Sequence, residues 1–197
     1  AEAWLRGGGA VRVLDDLSQG CVSNLEPAQS LPGFEFLRGS VLDPGALGFA
    51  LEGVDLVAHL AAVVGVERVL AEPQRTVAVG AGSGRRLAQA CRARGLPLLC
   101  VSSSEVYGPW ATPPALESQA ETGPAPDLRA WGPRGRYARA KRVAERAALG
   151  PGGPPRAAVV RLFNVSGPRQ GPESGMVLPR LVAAALDGRG LEVFGDG

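Results

Sequence analysis

The chain is 197 residues long, 45% hydrophobic and 20% charged, with a formal net charge of +2. That length suits one large domain or one and a half small ones, with enough apolar content for a sizeable core. So small a charge argues against nucleic acid or an anionic membrane as partner, and no apolar run approaches the roughly 20 residues that span a bilayer. Taken in order, short apolar runs alternate with segments of helical period. The pattern predicts strands at Ala10–Asp15 and Phe34–Leu37, a helix over Pro44–Leu51, a strand at Val54–Leu60 and a long helix over Pro73–Arg94. It continues with a strand at Pro97–Ser102, a helix over Pro133–Leu149, a strand at Ala157–Phe163, a helix over Gly175–Asp187 and a strand at Leu191–Phe194. Strands that are apolar nearly throughout, each followed by a helix, predict a doubly wound parallel sheet covered on both faces. The stretch Gly108 to Gly135 breaks the pattern with six prolines and two tryptophans, Trp110 and Trp131. A loop that long, directly after a strand, lies where open α/β sheets bind ligands.

The opening AEAWLRGGGAVRVLDD lacks the basic-then-apolar pattern of a signal peptide. Three cysteines, Cys21, Cys91 and Cys100, stand far apart, which reads as reduced, buried thiols of a cytoplasmic protein and not as a zinc site. A lone histidine, His59, cannot make a metal centre, so it is expected to be a hydrogen-bonded structural residue and no metal is expected. The basic run Arg134–Arg146 is expected to be a solvated helix face.

Three local patterns carry chemistry. Asp15 ends a strand, followed by Asp16-Leu17-Ser18. A carboxylate there can hold ribose hydroxyls, although strand-end aspartates are also common turn residues. Tyr137 and Lys141 in YARAK share one face of a helix at i, i+4 spacing. A free tyrosine has a pKa of about 10, so a phenolate base at neutral pH needs it lowered by about 3, roughly 4 kcal/mol. A neighbouring ammonium could supply part of that, yet a solvated Tyr/Lys face is equally consistent with the spacing. CVSSSEVYG (Cys100–Gly108) ends a buried strand in three serines at the edge where ligands bind.

In their order along the chain, VRVLDDLSQG, GSVLDPGAL, VDLVAHLAAVVGV, SSSEVYG, YARAK, VVRLFNVSGPRQ, GMVLPRLVAAAL and LEVFGDG resemble the extended short-chain dehydrogenase/reductases, the NAD-dependent epimerase/dehydratase group. The resemblance implies a Rossmann-like NAD-binding domain over residues 1–165 and the beginning of a nucleotide-sugar-binding domain over 166–197. It implies catalytic roles for Ser103, Tyr137, Lys141 and Glu105. Tyr137 would take the C4-hydroxyl proton of the sugar, Lys141 would lower the tyrosine pKa and hold the nicotinamide ribose, and Ser103 would bond the C4 oxygen. NAD would be held by Asp15, Asp16, Ser40, Val41, Leu60, Ala61 and Ala62, together with Tyr137 and Lys141. Substrate would be held by Ser104, Asn164, Val177, Leu178 and Arg180. The implied partners are a nucleotide sugar and a second copy, paired through the Tyr137–Lys141 helix.

The fate of the 4-keto sugar stays open. Ser104-Glu105 stands where similar dehydratases carry Asp-Glu and looks more like the UDP-glucuronate decarboxylases, while epimerases vary there; epimerase is ranked slightly above decarboxylase, with dehydratase third. A non-catalytic dinucleotide-binding relic is the alternative of another class. Departures from the family pattern motivate it. Ser40 replaces an aspartate that contacts adenine, and Gly80 replaces an active-site asparagine. Gly80, Gly82 and Gly84 should each weaken their helix by about 1 kcal/mol relative to alanine. The GxxGxxG turn after a first strand is absent, and the chain is expected to be a fragment at both ends.

Overall fold

The computed structural model describes residues 1–108, 112–122, 135–172, 175–193 and 195. Five strands are arranged in two parallel sheets. β1 (Val11–Asp15) pairs with β2 (Phe34–Arg38), while β3 (Val57–His59), β4 (Leu98–Ser103) and β5 (Ala157–Leu162) lie side by side in that order. The α/β class with parallel strands agrees with the sequence pattern; the strands form two sheets, with no ladder joining β1 to β3. Side chain and backbone of Gln19 and Val64 exchange two hydrogen bonds, 3.0 and 3.3 Å, linking the loops that leave β1 and β3. The carboxyl ends of both sheets therefore lie together.

The helices are α1 (Glu2–Arg6), α2 (Glu26–Gln29), α3 (Pro44–Ala50), α4 (Val66–Ala71), α5 (Pro73–Val77), α6 (Ser83–Arg94), α7 (Glu117–Thr122), α8 (Gly135–Leu149) and α9 (Val177–Leu186). Their ends follow local chemistry. Asp43 caps α3 by accepting from the amides of Gly45 (2.8 Å) and Ala46 (3.4 Å), and Pro44 occupies the first turn, where no amide is needed. Gly95 closes α6 at φ +68°, the left-handed turn that a side chain resists. The predicted helix over 73–94 is continuous but irregular, because Ala78–Gly82 forms a π-helical turn between α5 and α6.

One core serves both sheets. Leu87, Ala88 and Cys91 of α6 and Ala144 and Ala148 of α8 pack on Leu98 and Cys100 of β4, with Leu14 of β1 at the margin. Side chains alternate across a strand, so the opposite face of β5 carries Ala158, Val160 and Leu162, all exposed. Coverage on both faces, expected from the apolar runs, is therefore not met on β5 among the described residues.

Four further expectations need correction. The strand predicted over 54–60 is regular only at Val57–His59. Residues 191–193 form no strand and are exposed. Cys21 is exposed, with its sulfur accepting from the Ser23 hydroxyl at 2.9 Å, whereas Cys91 and Cys100 are buried as expected. The proline-rich stretch contains α7, while Trp110, Trp131 and most of its other residues lie outside the described ones. Among the described residues no helix is long and apolar enough to cross a membrane.

Candidate active site

Apart from Tyr137 and Lys141 on α8, every predicted cofactor contact falls at or just beyond the carboxyl end of a parallel strand, the edge where such sheets bind ligands. Asp15 ends β1, Ser40 and Val41 follow β2, Leu60, Ala61 and Ala62 follow β3, and Ser103 ends β4. Asp15 is exposed, and one carboxylate oxygen accepts the Leu17 amide at 2.7 Å, the turn role such residues take. Its second oxygen has no protein partner among the described residues. Asp16 is committed differently. Its carboxylate accepts the Ser18 amide at 2.9 Å and the Arg75 guanidinium at 3.2 Å. Burial pushes its pKa up, but these partners outweigh burial and hold it below the ordinary value. The Ser40 hydroxyl accepts the Leu42 amide at 3.2 Å in the turn before α3.

Ser103, Glu105, Tyr137 and Lys141 converge at the end of β4. Ser103 caps the 3-10 turn Ser104–Tyr107 by accepting the Glu105 amide at 3.3 Å. The three serines do not act as one array: Ser102 alternates to the core face, 4% exposed, and its hydroxyl is without a partner among the described residues. Tyr137, in the first turn of α8, is partly buried. Burial raises its pKa, hydrogen bonding from Ser103 lowers it, and the Glu105 charge raises it further, leaving it above the usual tyrosine value. The expected depression of the phenol by Lys141 is thus not met in the chain by itself. The ammonium lies 5.8 Å from the ring centroid and donates to the Val101 carbonyl at 2.8 Å. Burial lowers the Lys141 pKa, while Cys100 and Glu145 push it back up. An ammonium has three donors, and the two others here have no protein partner among the described residues. Lys141 is only 6% exposed, so those spare donors suit a ligand's oxygens.

The depth at which α8 sits comes from small residues. A Cβ on Gly80 would stand 2.8 Å from the Ala140 Cβ, and one on Gly84 would stand 2.6 Å from that of Ala144. These glycines are required by close helix packing, a reason their helix propensity does not reveal. No side chain larger than hydrogen fits at Gly80 without moving α8, so the asparagine of the family pattern has no place here. Gly82, by contrast, has no atom nearer than 3.9 Å.

His59 is buried as expected, its Nε2 3.2 Å from the Ser83 hydroxyl. Ser83 donates its proton to the Val79 carbonyl, so Nε2 of His59 is the donor in the pair. Burial, with the Lys141 charge, lowers its pKa to about 4. The basic run of α8 is not uniformly solvated either. Arg136, Arg139 and Arg146 are exposed, but Arg142 is buried and donates to the Ala120 carbonyl at 2.7 Å.

The predicted substrate residues are spread out. Ser104 stands beside Ser103, and Asn164 is exposed just beyond β5. Val177 and Leu178 are exposed at the start of α9, where Leu178 lines an open groove of about 450 Å³ with Ser166, Pro168 and Val182. Arg180 donates to the Glu192 carbonyl at 3.3 Å.

Two features escaped the sequence reading. The first is a signal that was available: Lys141 is the only lysine among 21 basic residues, the other 20 being arginine. Where every other cation is arginine, one lysine in a buried site marks a position that needs a compact ammonium. The second is the ion pair between Glu145 and Arg161, which no spacing along the chain announces.

The family model for the NAD dependent epimerase/dehydratase family matches residues 1–197. The chain belongs to that family. It is 35% identical over 162 residues to a UDP-N-acetyl-alpha-D-glucosaminuronate decarboxylase of Bacillus cytotoxicus, covering 80% of this chain and 48% of that protein. It is 33% identical over 212 residues to a UDP-glucose 4-epimerase of Mycolicibacterium smegmatis, covering 98% of this chain and 60% of the relative. A dTDP-glucose 4,6-dehydratase from Streptomyces venezuelae, solved with NAD bound, superimposes with a TM-score of 0.79 at 30% identity, over 95% of this chain and 56% of that one. The chain thus spans about half to three fifths of the length of these family members.

Proposed function

We propose that this chain is the cofactor-binding part of an NAD-dependent nucleotide-sugar enzyme that oxidises C4 of a hexose transiently, a 4-epimerase of the UDP-glucose type. The observation that carries the reading is the convergence of Ser103, Tyr137 and the chain's single lysine at the carboxyl end of β4. Asp15, with its spare carboxylate oxygen, would hold the adenine-side ribose, and the spare donors of Lys141 would hold the other ribose. The residues present fit those two parts of NAD; no GxxGxxG turn for the pyrophosphate occurs in the 197 residues. Bound as NAD⁺, the cofactor supplies a hydride acceptor and a positive charge beside the tyrosine.

The protein's part is proton transfer and positioning. Tyr137, neutral as the fold holds it, needs added positive charge before its Oη can take the C4-hydroxyl proton. Ser103 Oγ would hold the C4 oxygen in line. Ser104-Glu105 and the kinship with decarboxylases support a second reading, decarboxylation of a nucleotide-linked uronate, and dehydration stands third. Homodimerisation through α8 rests on the family resemblance, and its exposed arginines would need acidic partners across a symmetric contact. Placement in the cytoplasm likewise rests on the reduced cysteines.

Tyr137→Phe in the full-length protein tests the reading. Turnover of UDP-glucose should fall by roughly 10²- to 10⁴-fold while NAD remains bound. Undiminished turnover would overturn the role of Tyr137. Release of CO₂ from a UDP-uronate without epimerase activity would select the decarboxylase. NAD binding without turnover of any nucleotide sugar by the unmodified protein would leave a binding relic, the reading that Ser40 and Gly80 motivate.

A further inference from the structure

Behind Lys141 stands a buried ion pair that none of the roles above uses. Glu145 lies one helical turn further along α8 and, like Lys141, is 6% exposed. Arg161 of β5 grips both of its carboxylate oxygens, Nε to Oε1 and Nη2 to Oε2, each at 3.0 Å. The Arg161 guanidinium also donates to the Glu117 carbonyl of α7 at 3.2 Å and lies 5.3 Å from the centroid of the Tyr107 ring. Tyr107 in turn packs on Phe163, with ring centroids 5.9 Å apart. So many contacts fix the carboxylate in place. A buried ion pair is seldom retained for stability alone, because desolvating both charges offsets most of their attraction.

We propose that Glu145, held rigid by Arg161, is a positioning residue for Lys141, keeping the buried amine charged and seated on the Val101 carbonyl. The inference rests on Lys141 serving the Tyr137 site. Spacing at i, i+4 on a buried helix face puts the carboxylate beside the lysine stem. Around the amine, Cys100 and Glu145 are the groups that favour its charged form. Tyr137 is neutral, His59 from β3 and Cys100 from β4 are buried, and Glu105 faces Tyr137. Burial pulls the amine toward its neutral form, and Glu145 opposes that. A neutral amine would lose both its pull on an anionic tyrosine and part of its grip on the carbonyl.

Lysine labelled with ¹³C at Cε makes the idea measurable, since these 197 residues contain one lysine and Lys141→Met assigns its signal in the full-length protein. In Glu145→Gln the titration midpoint of Lys141 should fall by about one pH unit or more. In Arg161→Gln the carboxylate loses its partner and turns its charge on the lysine, so the midpoint should rise. Glu145→Asp should recover part of the fall. Shifts of opposite sign support the proposal. An unchanged midpoint in Glu145→Gln, or movement in the same direction in both variants, overturns it as a merely structural pair. Should Glu145→Gln fail to fold, the Arg161→Gln arm decides: a rise supports the proposal and a fall or no change overturns it. Normal turnover by Lys141→Met would instead remove the catalytic reading and leave the electrostatic result standing.

Discussion

The carboxyl ends of β1 and β4 are built by opposite means. At β1 the functional candidates are exposed: Asp15 and Asp16 are held by turn amides and by Arg75, whose own side chain is 42% exposed. At β4 they stand on a buried layer in which His59, Ser83, Lys141 and Glu145 are each at most 6% exposed. An exposed carboxylate can meet a ligand with little help, because water keeps it charged. A buried amine keeps its charge only by what surrounds it. The two ends should therefore respond to perturbation on different scales.

The largest contrast should come from pH. The His59 pKa is depressed from its ordinary 6.5 to about 4, so below pH 6.5 the unfolded chain binds a proton that the folded chain refuses. Its contribution, about 3 kcal/mol, is complete above pH 6.5 and is lost progressively down to about pH 4. Denaturant melts at pH 7 and pH 4.5 should show a fall in stability that His59→Gln largely abolishes; an equal fall in both would show that His59 does not carry it.

Packing comes next, and here two neighbouring glycines should give opposite signs. Gly84→Ala would place a methyl 2.6 Å from the Ala144 Cβ and 3.0 Å from its Cα. Overpacking of this kind costs about 1–3 kcal/mol, more than the roughly 1 kcal/mol that alanine adds to a helix. Gly82→Ala meets nothing closer than 3.9 Å and should stabilise by up to about 1 kcal/mol. Thermal melts of both variants check this, and stabilisation by both would show that α6 and α8 do not approach so closely.

The smallest effects belong at β1. Arg75→Gln breaks a half-exposed pair with Asp16 and should change stability by less than about 1 kcal/mol. Asp15→Asn keeps the turn acceptor and should stay within about 0.5 kcal/mol. A much larger loss in either, read by chemical denaturation, would erase the contrast between the two ends.

Much of this was legible in the sequence. Strand β2 was readable to within a residue because Phe34–Leu37 is a short aromatic-rich segment, interrupted only by Glu35, between Gly33 and Gly39. That Tyr137 and Lys141 share a helix face was readable from their spacing, whereas their role came only from the order of motifs along the chain. Leu191–Phe194 has a similar apolar character, yet a strand exists only by pairing, and residues 191–193 pair with no strand among the described residues. The serine triplet misled because alternation sends Ser102 and Ser103 to opposite faces. Gly80 and Gly84 looked like defects, since the alanines that explain them lie some sixty residues away on another helix. Arg161 and Glu145 are likewise joined only by the fold.

The π-helical turn at Ala78–Gly82 amounts to one residue more than an α-helix would spend on the same path. Each residue in a helix turns the chain by about 100°. Deleting one residue from this turn would leave a more regular helix with a worse phase. Either Ser83 would swing away from His59 and Gly84 from Ala144, or Arg75 would swing away from Asp16. The irregularity lets one continuous helix answer to both ends of the sheet edge, so length here is constrained more tightly than composition: apart from Gly80, which Ala140 crowds, substitutions within 78–82 should be better tolerated than any single insertion or deletion.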